Sequence, residues 1–380
     1  MTATLAPRLL RPDGLPIDFD PDIDAPLVGP SVLAFVGPSS PACNMWRVWQ
    51  PFSSLQVRGY RAEWAWLTDA RSADHMPFYD AYLFCRSMWD RPNWAGAKRW
   101  LASIRKQGKK IFYEADDDLF SEFMVDQQIK GINSESTRER LREEAACQRW
   151  AMQQCDGVTV STQRLATTVR ALTDKPVVVV PNAIDAEWFT AVQAMFPRTV
   201  PGLTIGWAGG HRPDTDVAAM AEAWGRIAKR YPHVTFVLMG YQSDAVWSRV
   251  PHERIKALPW MHQSEYPMGL VNVDIGCCPL EDRPFNRNKT PIKAWEYALS
   301  GAAVVASPTV YKQCIDGGRT GFLAENADQW EEALSTLIRD AGIRQRMAAA
   351  LKADVLSKWS LRKNFRRWPD AWLKLWTAAA

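Results

Sequence analysis

Two doubly wound parallel-sheet halves in tandem, an α/β architecture, are what this sequence predicts, on the strength of its length, its alternation of patterns and one interruption. At 380 residues the chain exceeds one ordinary core and suits two domains of about 150–200 residues each. Short apolar runs of strand length alternate with longer helical patterns, which implies right-handed βαβ units and a parallel sheet. The series stops near Asp185 and begins again at Leu203.

Residues 1–30, rich in proline and aspartate, read as an extended arm. The first half, 31–185, opens with a strand over Ser31 to Val36, ending in Gly37-Pro38, and a helix over Met45 to Leu55. Strand-like runs follow at Ala81 to Cys85, Lys110 to Glu114, Gly157 to Ser161 and Val177 to Val180. Helical patterns lie between them at Asn93 to Gln107, Ser136 to Gln154 and Thr162 to Leu172. Residues 186–202 have little strand character and read as an interdomain connection. The second half, 203–359, runs through Leu203 to Ala208, the helix Asp214 to Tyr231, Val234 to Met239, Ile255 to Leu258, Val273 to Pro279 and Ala302 to Ala306. Residues 360–380 form a Trp- and Arg-rich helical pattern that we expect to cross back onto the first half.

Composition narrows the function classes. A hydrophobic content of 47% and a charged content of 23% are those of a globular protein, and a formal charge of +4 does not call for a polyanionic partner. No apolar run approaches the roughly 20 residues that span a bilayer, and the N-terminus lacks the apolar core of a secretory signal, so we expect a cytoplasmic protein. The seven cysteines are scattered and read as structural free thiols, and the five histidines show no ligand spacing, so no metal site is expected. Tryptophan can stack on a sugar ring, but most of the 19 here lie at helix or strand spacing, as do Trp368, Trp372 and Trp376, and read as packing.

Chemistry concentrates after two strands of the second half. In an open α/β sheet, ligands bind beyond the carboxyl ends of strands, where helix N-termini and loop amides favour anions. The strand ending at Pro279 runs into a loop with Arg283, Asn286, Arg287 and Lys289, and Glu296 lies on the helix that follows. The strand Leu203 to Ala208 runs into Gly209-Gly210-His211-Arg212. Paired glycines let backbone N–H groups approach a phosphate, and Arg212 adds a charge-assisted donor. A tight turn with a surface arginine is the plainer reading of that turn. Glu296 is either an exposed carboxylate paired with Lys293 or Lys289, or a buried one that ribose hydroxyls would satisfy. In the first half, Asp116-Asp117-Asp118 follow a strand. They can position an acceptor hydroxyl, cap the next helix, or bind a divalent metal.

At these residues the chain resembles the GT-B glycosyltransferases, specifically the retaining enzymes of glycosyltransferase family 4, or glycosyltransferases group 1. The likeness covers roughly residues 31–375. It rests on Ile205-Gly-Trp-Ala-Gly-Gly210, Asp274-Ile-Gly with Pro279-Leu280, Phe285-Asn-Arg-Asn-Lys-Thr290 leading to Lys293-Ala-Trp-Glu-Tyr297, Gly301 to Ser307 and Gly321-Phe-Leu323. Tyr113 to Leu119, Asp156 to Thr162 and Val180-Pro-Asn-Ala-Ile-Asp185 add to it from the first half. The resemblance implies two Rossmann-like domains facing a central cleft, the C-terminal one holding the nucleotide sugar. By it, Glu296 binds the ribose, Gly209, Gly210, Arg212 and Lys289 contact the diphosphate, and Pro259 and Trp260 lie against the base. The family's paired-glutamate pattern would put its first glutamate at position 288, where this chain has Asn288.

The expectation is therefore a metal-independent, retaining transferase that moves a sugar from a nucleoside diphosphate donor, a UDP- or GDP-sugar, to an acceptor hydroxyl, with no tightly bound cofactor. The donor set is Gly209, Gly210, His211, Arg212, Pro259, Trp260, Asn286, Asn288, Lys289, Thr290 and Glu296. Arg212 and Lys289 stabilise the leaving diphosphate, and Asp116 and Asp118 orient the acceptor. That acceptor may be read as a glycan, a lipid-linked intermediate, a protein or a modified DNA base. A sugar-nucleotide epimerase and a non-catalytic sugar-nucleotide-binding protein are the alternatives.

Overall fold

The computed structural model describes residues 27–37, 41–67, 78–86, 94–129, 134–210 and 214–378. Most of the expected N-terminal arm lies outside them. The chain divides into two compact units. One gathers the described residues up to Asp185 with Asn288–Thr290 and those from Leu361 onward, and the other comprises Ala186–Arg287 and Pro291–Ser360.

The first unit is built on a six-stranded, all-parallel sheet. Its strands are β1 (Val32–Val36), β2 (Ala62–Trp66), β3 (Ala81–Cys85), β4 (Lys110–Ala115), β5 (Gly157–Val160) and β6 (Val177–Val179), in the spatial order β2-β1-β3-β4-β5-β6. Both faces of β1 and β3 are buried, as parallel strands covered by helices require. The C-terminal helix Arg367–Ala378 packs on β5 and β6. A Cβ on Gly157 would lie 2.7 Å from Leu375 of that helix, so glycine there makes room for the docked side chain. Trp368 and Trp372 are buried, and Trp372 meets Phe52 edge to face at 5.2 Å, which makes them packing residues.

One ion pair ties this unit together. The helical stretch after β1 passes through a π-helical turn, Met45–Trp49, that directs Arg47 inward. The buried guanidinium donates to Glu114 Oε1 at 2.9 Å, to Val180 O at 2.7 Å and to Asn182 Oδ1 at 2.6 Å, and lies 5.6 Å over the Trp368 ring. Burial pushes the Glu114 carboxyl up from 4.5 to about 7, against the pull of Arg47 and Thr159.

The second unit also has a six-stranded parallel sheet. Its strands are β7 (Leu203–Gly209), β8 (Val234–Gly240), β9 (Ile255–Leu258), β10 (Ile275–Cys278), β11 (Ala303–Ala306) and β12 (Phe322–Leu323), ordered β12-β11-β10-β7-β8-β9. Counted from β7, this is the 3-2-1-4-5-6 order of dinucleotide-binding sheets, with its switch point between β7 and β10. Residues 186–202, read from sequence as a connection, contain the helix Ala186–Ala194, which belongs to this unit. Arg198 then clamps Asp274 with two bonds of 2.7 Å.

All seven cysteines are free and buried. Among the described residues no helix is long and apolar enough to cross a membrane, and no group of three or more His, Cys, Asp or Glu is placed to hold a metal ion.

Breaking the buried pair should be costly. Arg47→Ala or Glu114→Ala should each destabilise the first unit by about 3–5 kcal/mol, because each strands the other charge; calorimetric unfolding checks this. A carboxyl whose value is raised on folding contributes stability that is full below its unfolded value and lost as pH rises through its folded one. The melting temperature of the wild type should therefore fall relative to Glu114→Gln between pH 4.5 and pH 7. A constant difference across that window would contradict the assignment.

Candidate functional site

The switch point of the second sheet is where the local chemistry converges. β10 pairs with β7 only through Ile275↔Ile205 and Gly276↔Gly206, so the remaining residues of β7 lack a strand partner on that side. Tyr297, from the helix Ile292–Leu299, fills the gap: its hydroxyl accepts from Ala208 N–H at 2.9 Å and donates to Gly206 O at 3.3 Å. This fixes the helix that carries Glu296 against the carboxyl end of β7.

Glu296 is 4% exposed. It is thus buried, and its partner is within the protein: Lys293 Nζ lies 2.7 Å from Oε2. Lys293 also donates to the Tyr266 hydroxyl and lies 4.5 Å from the centre of that ring. Burial and the Glu296 charge push the Tyr266 phenol well above its ordinary value, so its O–H stays a donor. The Lys293 pairing is one of those the sequence offers for Glu296, whereas Tyr266 does not stand out in it. Their meeting joins positions 27 residues apart.

The turn after β7 begins with Gly209, in strand conformation, and Gly210, which is exposed; His211 and Arg212 lie outside the described residues. β8 ends at Gly240 with φ +86°, where a Cβ would lie 2.5 Å from Gly209 O, so the two strand ends touch through bare backbone. Trp260 is 56% exposed, and its indole Cδ1 comes within 3.7 Å of the Cβ position of Gly240. Pro259 beside it is exposed.

The loop after β10 has its positive charges paired. Arg283 Nη2 lies 3.0 Å from Asp216 Oδ2, and Arg287 pairs with Asp282 at 2.7 Å. Asn286, fully buried, donates to Asp216 Oδ1 at 2.8 Å and to Glu281 O at 3.0 Å, and among the described residues its Oδ1 has no hydrogen-bond partner. Asp216 sits in the first turn of the helix Asp214–Arg230, a position where an acid complements a helix N-terminus.

Asn288–Thr290 pack with the first unit. Thr162 Oγ1 donates to Asn288 O, and Asn182 Nδ2 donates to Thr290 Oγ1, both at 3.2 Å. Lys289 Nζ lies 3.2 Å from Asp117 Oδ1. Asn288 is 4% exposed, and among the described residues its Oδ1 has no hydrogen-bond partner.

The three aspartates after β4 diverge. Asp116 pairs with Arg86 at 3.2 Å, and Asp117 is 3.7 Å from the same guanidinium. Arg86, the residue after β3, has φ +44°, a left-handed backbone uncommon for a residue with a Cβ. Asp118 is buried and spends its oxygens on Ser121, accepting from N–H at 3.0 Å and from Oγ at 2.8 Å at the entrance to the helix Glu122–Ile129.

The chain is similar to known proteins in part of its sequence and in its fold. Residues 202–340 match the sequence model of a family described as "Glycosyl transferases group 1". A Bacillus subtilis (strain 168) protein named as a teichuronic acid biosynthesis glycosyltransferase, TuaH, is 28% identical over 169 residues, which span 41% of this chain and 41% of that one. Sucrose-phosphate synthase from Thermosynechococcus elongatus superposes with a TM-score of 0.62 at 13% identity, covering 91% of this chain and 99% of that one. HepE of Anabaena, solved in complex with UDP-glucose, superposes with a TM-score of 0.58 at 13% identity over the same shares. The two six-stranded sheets and their helices thus have the GT-B fold of these glycosyltransferases, and it is over residues 202–340 that the chain is similar in sequence to glycosyl transferases group 1.

Proposed function

We propose that the protein is a glycosyltransferase that moves a sugar from a uridine diphosphate sugar to an acceptor hydroxyl, with retention at the anomeric carbon and without a metal ion. The observation that carries this reading is the β7/β10 switch point. There a glycine turn and a polar loop follow neighbouring strands, with a buried carboxylate, Glu296, on the next helix. Ligands of such sheets bind at this place. That HepE was solved with UDP-glucose supports a UDP-sugar as the first donor to test.

In this reading the backbone of Gly209 and Gly210, with Arg212 and Lys289, takes the diphosphate, Glu296 takes the ribose hydroxyls, and Trp260 with Pro259 borders the base. Asn288 offers its unpaired amide oxygen to a sugar hydroxyl. His211 and Thr290 complete the donor surroundings, and Asn286, bound to Asp216, supports the loop. Negative charge grows on the departing diphosphate, and donors already in place stabilise it, usually the largest catalytic term. In a front-face transfer the leaving phosphate oxygen accepts the proton of the acceptor hydroxyl, so no separate base is required. Asp116 is the carboxylate we assign to the acceptor; Asp118, bound to Ser121, serves the loop.

The direct test incubates labelled UDP-sugars with acceptor extracts in excess EDTA. Label should pass to an acceptor with its anomeric configuration kept. Conversion of the donor alone, inverted product, or activity that returns only with Mn²⁺ would overturn the corresponding part.

Two affinity predictions follow from the pairing. Glu296→Ala should weaken UDP binding by about 1–3 kcal/mol, the scale of lost charge-assisted hydrogen bonds. Unchanged affinity in the folded variant would remove Glu296 from the site. Lys289 must exchange Asp117 for phosphate, so Asp117→Asn should strengthen UDP binding while Lys289→Ala weakens it. Titration calorimetry reads both, and a weakening by Asp117→Asn would mean that the aspartate holds Lys289 in its binding position.

A further inference from the structure

The β10 loop is organised by a single carboxylate that neither composition nor motif singles out. Asp216 has a fully buried side chain. It accepts from Glu281 N–H at 3.1 Å, from Asn286 Nδ2 at 2.8 Å and from Arg283 Nη2 at 3.0 Å. These three donors come from the loop after β10, whereas Asp216 belongs to the helix after β7, 65 to 70 residues earlier in the chain. A helix cap would turn its oxygens to the N–H groups of its own first turn. Here they are turned to the neighbouring loop.

We propose that Asp216 is a positioning residue for the donor site: it locks the loop after β10 to the helix after β7 and so holds that loop in place beside the switch point. The inference rests on the reading that this unit takes the nucleotide. Burying a carboxylate is costly, and well-packed apolar side chains often secure a loop as well or better. What directed bonds add is one defined geometry. The root of the loop is fixed separately, since Leu280 N–H donates to Ser307 Oγ and Thr309 Oγ1 donates to Leu280 O, each at 3.0 Å. Asp216 therefore governs the outer part, Glu281 to Arg287, which leads directly into Asn288 and Lys289. Arg283 and Asn286, which from sequence look like anion ligands, act in this account through Asp216 as the frame of the loop.

The test is UDP titration of the full chain with wild type, Asp216→Asn, Asn286→Asp and the double variant that exchanges amide and carboxylate across the contact. Asn286→Asp sets two carboxylates against each other, and Asp216→Asn removes the charge that holds Arg283 and one of the acceptor oxygens; each should weaken UDP binding about tenfold or more. The exchanged pair restores donor to acceptor and should recover most of the affinity. Amide hydrogen exchange should rise in the single variants at Glu281 to Arg287 at an unchanged melting temperature, an outcome that general destabilisation does not give. If Asp216→Asn fails to fold, Asn286→Ala probes the same contact from the loop side, and unaltered UDP affinity there overturns the proposal. Wild-type affinity in both folded single variants overturns it as well and leaves the nucleotide reading intact. A wild type that does not bind UDP overturns the nucleotide reading and this inference with it.

Discussion

The second unit depends on how closely β7 and β10 approach. Gly206 and Gly276 are register partners at the switch point. A Cβ on Gly206 would lie 2.4 Å from Val273, and one on Gly276 would lie 2.3 Å from the ring of Tyr297. Both distances are shorter than packed atoms allow, so the position of Tyr297 requires glycine beneath it. That position in turn gives Ala208 N–H its partner and sets the rotation of the helix Ile292–Leu299. Glu296 and Lys293 face the carboxyl end of the sheet as a consequence of a packing constraint inside it.

Charge compensation is the second theme. The loops hold cations suited to an anionic ligand, yet Arg283, Arg287, Lys289 and Lys293 all have carboxylate partners. In the proposed function, binding of a diphosphate is then an exchange of partners. Exchange costs little at the exposed Arg287–Asp282 pair, because such pairs contribute little to begin with. It costs much at Asp216, whose side chain is fully buried and would be left with an uncompensated charge. The same loop thus contains cations able to move to a ligand and one pair able only to hold the loop.

Much of the fold was legible in the sequence because buried parallel strands are short apolar runs. Ala81–Cys85 and Ile255–Leu258 agree with the sequence reading to the residue. β2 was not legible: Ala62–Trp66 is an edge strand whose Glu63 is exposed, and its apolar run is broken accordingly. The helix Ala186–Ala194 was hidden in a stretch judged only for strand character. At the site, the glycine turn and Glu296 could be located from their order after strands. Lys293, three residues from Glu296, was legible as its partner; the contacts of Asp216 with Asn286 and of Lys293 with Tyr266 were not, because they join residues whose proximity arises only from the folded chain. The role of Arg47 was equally invisible, since nothing local marks an arginine for burial.

The central claim is the place of the nucleotide, and a crystal structure of the protein grown with UDP tests it most directly. The account predicts the diphosphate at the backbone of Gly209 and Gly210 and the ribose hydroxyls on Glu296, at the β7/β10 switch point. UDP bound instead at the β1/β3 switch point of the first sheet, or anywhere away from Glu296, would contradict it.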